Sequence, residues 1–120
     1  MSGKISRARG NGIKNQIIEY GGLVFLRGLV ALWKTDSVAD QTRQILARID
    51  ECLAAAGTSK TRILQATVYL SDMSRKEEMN EVWAEWMPPE HEPARVTVGV
   101  TLSSPETLVE ILVTAAQGER

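Results

Sequence analysis

From Arg95 to Leu102 the chain alternates without a break, with Val96, Val98, Val100 and Leu102 on one side and Arg95, Thr97, Gly99 and Thr101 on the other. A period of two marks an extended strand. After Ser103-Ser104-Pro105, a turn, a second apolar run returns from Leu108 to Ala115. That run is apolar on both faces, which predicts a central strand or a covered outer face. Each run carries one charge near its start: Arg95 after Pro93-Ala94, and Glu110 between Val109 and Ile111. A charge inside a sheet is costly unless it is paired or binds something. The two residues become neighbours if the runs pair as a β-hairpin. A small anionic ligand with water chemistry beside it would explain both, and so would a structural ion pair.

The rest of the chain reads as an α+β domain. Ile13 to Tyr20 and Leu23 to Arg27 are short strands joined by Gly21-Gly22, a pair suited to a primed hairpin turn. Over residues 37–56 the period becomes helical, with Val38, Ile45, Ile49 and Leu53 in a stripe and Gln41, Arg43, Gln44, Arg48, Asp50 and Glu51 largely on other faces. Asp36 or Ser37 can cap its start, and Gly57 can supply a left-handed stop. Ile63 to Leu70 alternates as a strand. Ser74-Arg75-Lys76-Glu77 has the form of a capping box opening a second helix, whose apolar face is Met79, Val82, Trp83 and Trp86 and whose end is Pro88-Pro89. The predicted order is ββαβαββ, a mixed β-sheet with two helices on one face. Its other face would be bare, and a second copy is the natural cover. Residues 1–12, with Gly3, Gly10 and Gly12, are expected to form a flexible N-terminal arm, and 13–117 a single domain.

Composition narrows the function. The chain has 120 residues and a formal charge of −1, so it suits one modest domain and gives no bulk attraction to nucleic acid or an anionic membrane. Neither is expected as a partner, and the basic cluster Lys4, Arg7, Arg9 and Lys14 reads as a solvated arm. Cys52 is the single cysteine, which fits a reducing compartment. No apolar run approaches a bilayer span and the N-terminus has no signal-peptide core, so a cytoplasmic location is expected. One histidine and one cysteine cannot build a usual zinc site. P-loop, GxSxG and GxGxxG motifs are absent from the sequence, so no metal and no cofactor is expected. Cys52 reads as a small buried hydrophobe, and His91, in Pro-Pro-Glu-His-Glu-Pro, as a surface residue. A site here must run on Arg, Glu, hydroxyls, backbone groups and water.

Several segments together resemble the RidA (YjgF) family. They are Met79-Asn80-Glu81-Val82-Trp83-Ala84-Glu85-Trp86, Pro93-Ala94-Arg95-Val96-Thr97-Val98, and Leu108-Val109-Glu110-Ile111 with Thr114-Ala115-Ala116. Gln41-Thr42-Arg43, Ile49-Asp50, Ala56-Gly57 and Thr67-Val68-Tyr69-Leu70-Ser71-Asp72 fit as well, so the resemblance runs from about residue 14 to 116, more to a divergent YoaB-like branch than to RidA proper. It implies a homotrimer of chorismate-mutase-like α+β subunits with sites in the clefts between them. It also implies hydrolysis of reactive 2-imino and 2-enamino acids to 2-keto acids and ammonia, without a cofactor. The family arginine falls on Arg95, which would hold the substrate carboxylate. The family glutamate falls on Glu110, which would position or activate water. Thr97 takes the place of a family cysteine whose backbone contacts the substrate, and Asn80 matches a family asparagine near the site.

Two positions depart from the family. Arg27 stands where RidA has a small hydroxyl residue, and Ile13-Lys14-Asn15 where it has a tyrosine nearby. Arg27 can fill the pocket, bind a second anionic group on the substrate, or point to solvent. The rival to an enzyme is a catalytically silent trimer that binds a carboxylate metabolite in the same cleft.

Overall fold

The computed structural model describes residues 3–7 and 13–118. Its elements are β1 (Ser6–Arg7), β2 (Ile17–Tyr20), β3 (Leu23–Leu26), β4 (Leu29–Val30), α1 (Val38–Ala55), β5 (Ile63–Leu70), α2 (Lys76–Trp86), β6 (Ala94–Gly99) and β7 (Val109–Ala116). The ββαβαββ kernel is present, with the two-residue strands β1 and β4 added. Residues 1–2 and 8–12 of the expected arm lie outside the described residues, and Ser6–Arg7 within it pair with β2. No described helix is long and apolar enough to cross a membrane.

The strands form one mixed sheet in the order β1-β2-β3-β7-β5-β6, with β4 also paired to β7. β5 and β6 run parallel, and β7 is antiparallel to β3, β4 and β5. This corrects the expected β6–β7 hairpin, because β5 lies between those strands. The physical reason is α2: a strand–helix–strand connection returns the chain parallel to the strand it left. β7 then occupies the other edge of β5 and becomes central, one of the two options its apolar pattern left open.

Local chemistry sets the element ends. Gly21 and Gly22 have φ of 59° and 83°, the two left-handed positions that a primed turn requires between Tyr20 and Leu23. Ile13–Gln16 is a 3-10 turn and not part of a strand, so β2 begins only at Ile17. Ser37 caps α1 by accepting the Asp40 N–H at 3.0 Å. The expected capping box on α2 does not form. Asp72 accepts the Ser74 N–H and hydroxyl at 3.0 and 2.7 Å, which closes a 3-10 turn over Met73–Arg75, and the helix starts at Lys76. Those bonds stabilise the ionised carboxylate and hold the Asp72 pKa below its ordinary value.

Both helices pack on one face. Ile45, Ile49, Leu53, Met79 and Val82 meet Val24, Ala66, Val68, Leu70, Ile111 and Val113 in the core. Gln41 is fully buried with them, against the expectation that it sits on another face of α1. Its side chain donates to the Thr35 and Glu106 carbonyls at 2.7 and 2.9 Å and accepts the Leu108 N–H at 3.0 Å. Burial is tolerable because these partners satisfy it. The opposite face of the sheet carries Ile18, Tyr20, Phe25, Val96 and Leu112, each 37–49% exposed.

Candidate functional site

Register decides where each candidate side chain goes. Arg95 is opposite Ala66 and Thr97 opposite Val68, so both are on the helix-covered face of the edge strand β6. There the Arg95 guanidinium is 5.0 Å from the centre of the Trp83 ring and donates to Asn80 Oδ1 at 2.8 Å and Met79 Sδ at 3.5 Å. All three partners come from successive turns of α2 and all are neutral. No acid among the described residues pairs with Arg95, which is half-buried. A guanidinium has five N–H donors, so two contacts leave enough for a bidentate carboxylate.

Glu110 is opposite Tyr69 and therefore on the open face. Its carboxylate packs directly against Gly28, where any Cβ would overlap it. Together with Tyr69, Val100, Leu102 and Leu112, the two residues line a cavity of about 260 Å3. Leu112, Tyr69 and the two loop residues make it largely apolar, with one carboxylate in its wall.

The structure thus brings Arg95, Asn80 and Thr97 together and separates them from Glu110. Arg95 and Glu110 are on opposite faces, two strand spacings apart and three residues along β5, roughly 14 Å between backbones at ordinary strand geometry. They do not form the ion pair that the sequence left open. Arg27 is exposed at an irregularity: Phe25 is opposite Thr114 and Leu29 opposite Ile111, so Arg27 and Gly28 share a single place beside Leu112. Its side chain does not line the cavity, and no described residue bonds it. His91 is exposed in a 3-10 turn, and burial pushes the Cys52 thiol up, as fits an inert hydrophobe.

Sequence reasoning misses Glu92, which accepts the Trp83 indole N–H at 2.7 Å, and Gly28, which lies against the Glu110 carboxylate in the cavity wall. Trp83 is in the core, as its apolar stripe predicts, and its ring also meets Arg95. One signal was available: the strand–helix–strand order over 63–99 demands a parallel β5–β6 pair and so puts α2 over Arg95.

Comparison with known proteins agrees on one family. The family model described as Endoribonuclease L-PSP matches residues 11–117. A RutC family protein of Haemophilus ducreyi is 39% identical over 102 residues, 85% of this chain and 87% of that one. The RutC family protein YoaB of Escherichia coli is 40% identical over 77 residues, 64% of this chain and 68% of its own length. Among solved structures, a YjgF family member from Neisseria meningitidis superposes with a TM-score of 0.90 at 36% identity, covering 98% of both chains. A conserved Rid family protein of unknown function from Yersinia pestis gives 0.85 at 27% identity over 94% of this chain and 99% of that one. The shared sheet order, the two helices on one face and these matches make the chain a member of the YjgF/RidA family.

Proposed function

We propose that this protein is a cofactor-free hydrolytic deaminase of reactive 2-imino and 2-enamino carboxylic acids, working as a homotrimer in clefts between copies. Family membership supports a small-molecule deaminase or binding role. The observation that carries the finer reading is the state of Arg95: a half-buried cation oriented by neutral groups and paired with no acid among the described residues. Such a cation is an anion receptor.

An imine conjugated to a carboxylate is already electrophilic at carbon, so neither metal nor covalent nucleophile is needed once the substrate is held. Arg95 holds the carboxylate. Glu110 orients a water and takes its proton as oxygen adds to the imine carbon; that proton passes to nitrogen to give a carbinolamine. The same carboxylate then carries the carbinolamine hydroxyl proton to nitrogen as the C–N bond breaks and C=O forms, so that a keto acid and ammonia leave. Both residues can touch one small molecule only if they come from two copies, since in one chain they are on opposite faces of the sheet. The exposed apolar residues of the open face support such an assembly.

The test is a coupled assay in which an amino-acid oxidase supplies imines from neutral and acidic amino acids while keto-acid release is followed. Wild type accelerates release over buffer, and Arg95→Ala lowers kcat/KM roughly 10- to 100-fold or more, the effect of losing a charged hydrogen-bond partner. No acceleration on any substrate would leave the silent carboxylate-binding trimer. Sedimentation must find three copies per particle.

A further inference from the structure

A chain of contacts runs from the surface to Arg95. The Glu92 carboxylate accepts the indole N–H of Trp83 at 2.7 Å, the Trp83 ring underlies the Arg95 guanidinium at 5.0 Å, and Asn80 Oδ1 fixes one guanidinium nitrogen at 2.8 Å. Trp83 is 3% exposed, so its N–H needs an acceptor, and Glu92 supplies one from the loop before β6. We propose that Glu92 and Trp83 are positioning residues for Arg95, fixing the guanidinium plane in the orientation that receives a substrate carboxylate.

The proposal rests on the reading of Arg95 as the carboxylate seat, and its physics is that of preorganisation. An arginine has four rotatable side-chain bonds, and a bidentate contact requires its planar fork to face one way. Asn80 Oδ1 holds one terminal nitrogen at 2.8 Å and the weak acceptor Met79 Sδ the other at 3.5 Å, and two contacts of unequal strength leave the plane room to tilt. The indole ring restricts that freedom by lying under the guanidinium, 5.0 Å from ring centre to the guanidinium carbon, and the attraction is strongest for tryptophan among the aromatic residues. The indole is itself held at both ends, by the core around its ring and by Glu92 at its N–H. A carboxylate on that N–H also makes the ring face more negative, which strengthens its hold on the cation. Glu92 thus reaches Arg95 without touching it or the substrate.

The test compares wild type, Glu92→Ala, Glu92→Gln and Trp83→Phe in the assembled protein, with 2-oxobutanoate as the probe for binding and its neutral amide as the control. In Glu92→Ala the Kd for 2-oxobutanoate rises about tenfold, KM for the imino acid rises in step and kcat stays within twofold. Glu92→Gln, which keeps an oxygen acceptor, recovers most of the affinity. Trp83→Phe keeps a ring but loses the N–H and follows Glu92→Ala. A nitrogen-15 spectrum gives a second readout, with the Arg95 Nε–H signal shifted by the indole ring current in wild type and returned toward the exposed-arginine position in Glu92→Ala. Wild-type binding with unchanged affinity in Glu92→Ala would overturn the positioning role alone. Absence of 2-oxobutanoate binding by wild type would overturn the carboxylate reading, and the positioning role with it. A change in kcat at constant KM would place Glu92 elsewhere in the mechanism and overturn the role assigned here.

Discussion

Gly28 and Glu110 are in contact so close that a single added methyl group at residue 28 would occupy the place of the Glu110 carboxylate. The atom displaced is the far end of a flexible side chain and not backbone, so the fold can absorb the change. Gly28→Ala therefore separates stability from activity: the unfolding free energy changes by less than about 1 kcal/mol. A carboxylate moved by about 1 Å from the water it orients lowers kcat/KM roughly 10- to 100-fold. Thermal unfolding beside the coupled assay checks this, and full activity in Gly28→Ala would remove Glu110 from the mechanism.

Asn80 offers the converse experiment. It presents a neutral oxygen to Arg95, 2.8 Å away. Asn80→Asp keeps the shape but adds a counter-charge to Arg95, which pairs with no acid among the described residues. The gain from pairing with Arg95 is offset by the loss of the Asn80 Nδ2 donor to the Glu77 carboxylate, 3.3 Å away, so stability should stay within about 1 kcal/mol of wild type. KM should rise tenfold or more, since the new carboxylate competes with the substrate for the same guanidinium. Raising the assay pH does not relieve the effect, whereas lowering it toward the carboxylate range does. A KM equal to that of wild type would mean that substrate binds somewhere other than Arg95.

Much of this was legible in the residues. The alternation of Ile63–Leu70 and the glycine pair at 21–22 each predict the element found there, because period and left-handed backbone are local properties. The partner of a strand is not local. Val109–Ala116 is next to Ala94–Gly99 in sequence, yet β5 separates them, because pairing is decided by which crossover packs the helices on one face. The same gap explains Gln41, whose polarity argued for solvent while its three partners come from loops 65 and 67 residues away and one nearby. Arg95 stands out by its residue type and by family resemblance; the strand–helix–strand order points to α2 above it, but which α2 side chains meet it, an indole and an amide, follows from the register.

Gln41 should be among the costlier polar truncations in the chain. Gln41→Ala leaves two carbonyls and one N–H without their partner in a buried setting, and opens a cavity besides. The expected loss is about 2–4 kcal/mol, to be read from the denaturant midpoint at unchanged slope. Because Gln41 ties the segment around Glu106 and Leu108 to the loop before α1, protection of the Leu108 amide from hydrogen exchange should fall with it. Gln41→Glu adds a buried charge beside two carbonyl oxygens and should be worse still.

Arg27 carries the last prediction. Its side chain is exposed, bonded to no described residue and outside the cavity wall that Gly28 and Glu110 form, so it does not fill that space. An exposed cation next in sequence to the wall residue Gly28 instead raises the local concentration of anions, an effect that acts through solvent and is screened by salt. Arg27→Ser should leave stability within about 0.5 kcal/mol. At low ionic strength its KM for singly charged imino acids should rise about twofold, and for those with an acidic side chain more than that. At high salt, where the screening length falls to about 3 Å, the variant and wild type should converge. The opposite result, a variant that accepts more or larger substrates than wild type at every salt concentration, would mean that Arg27 swings into the cleft of the assembled protein and occludes it.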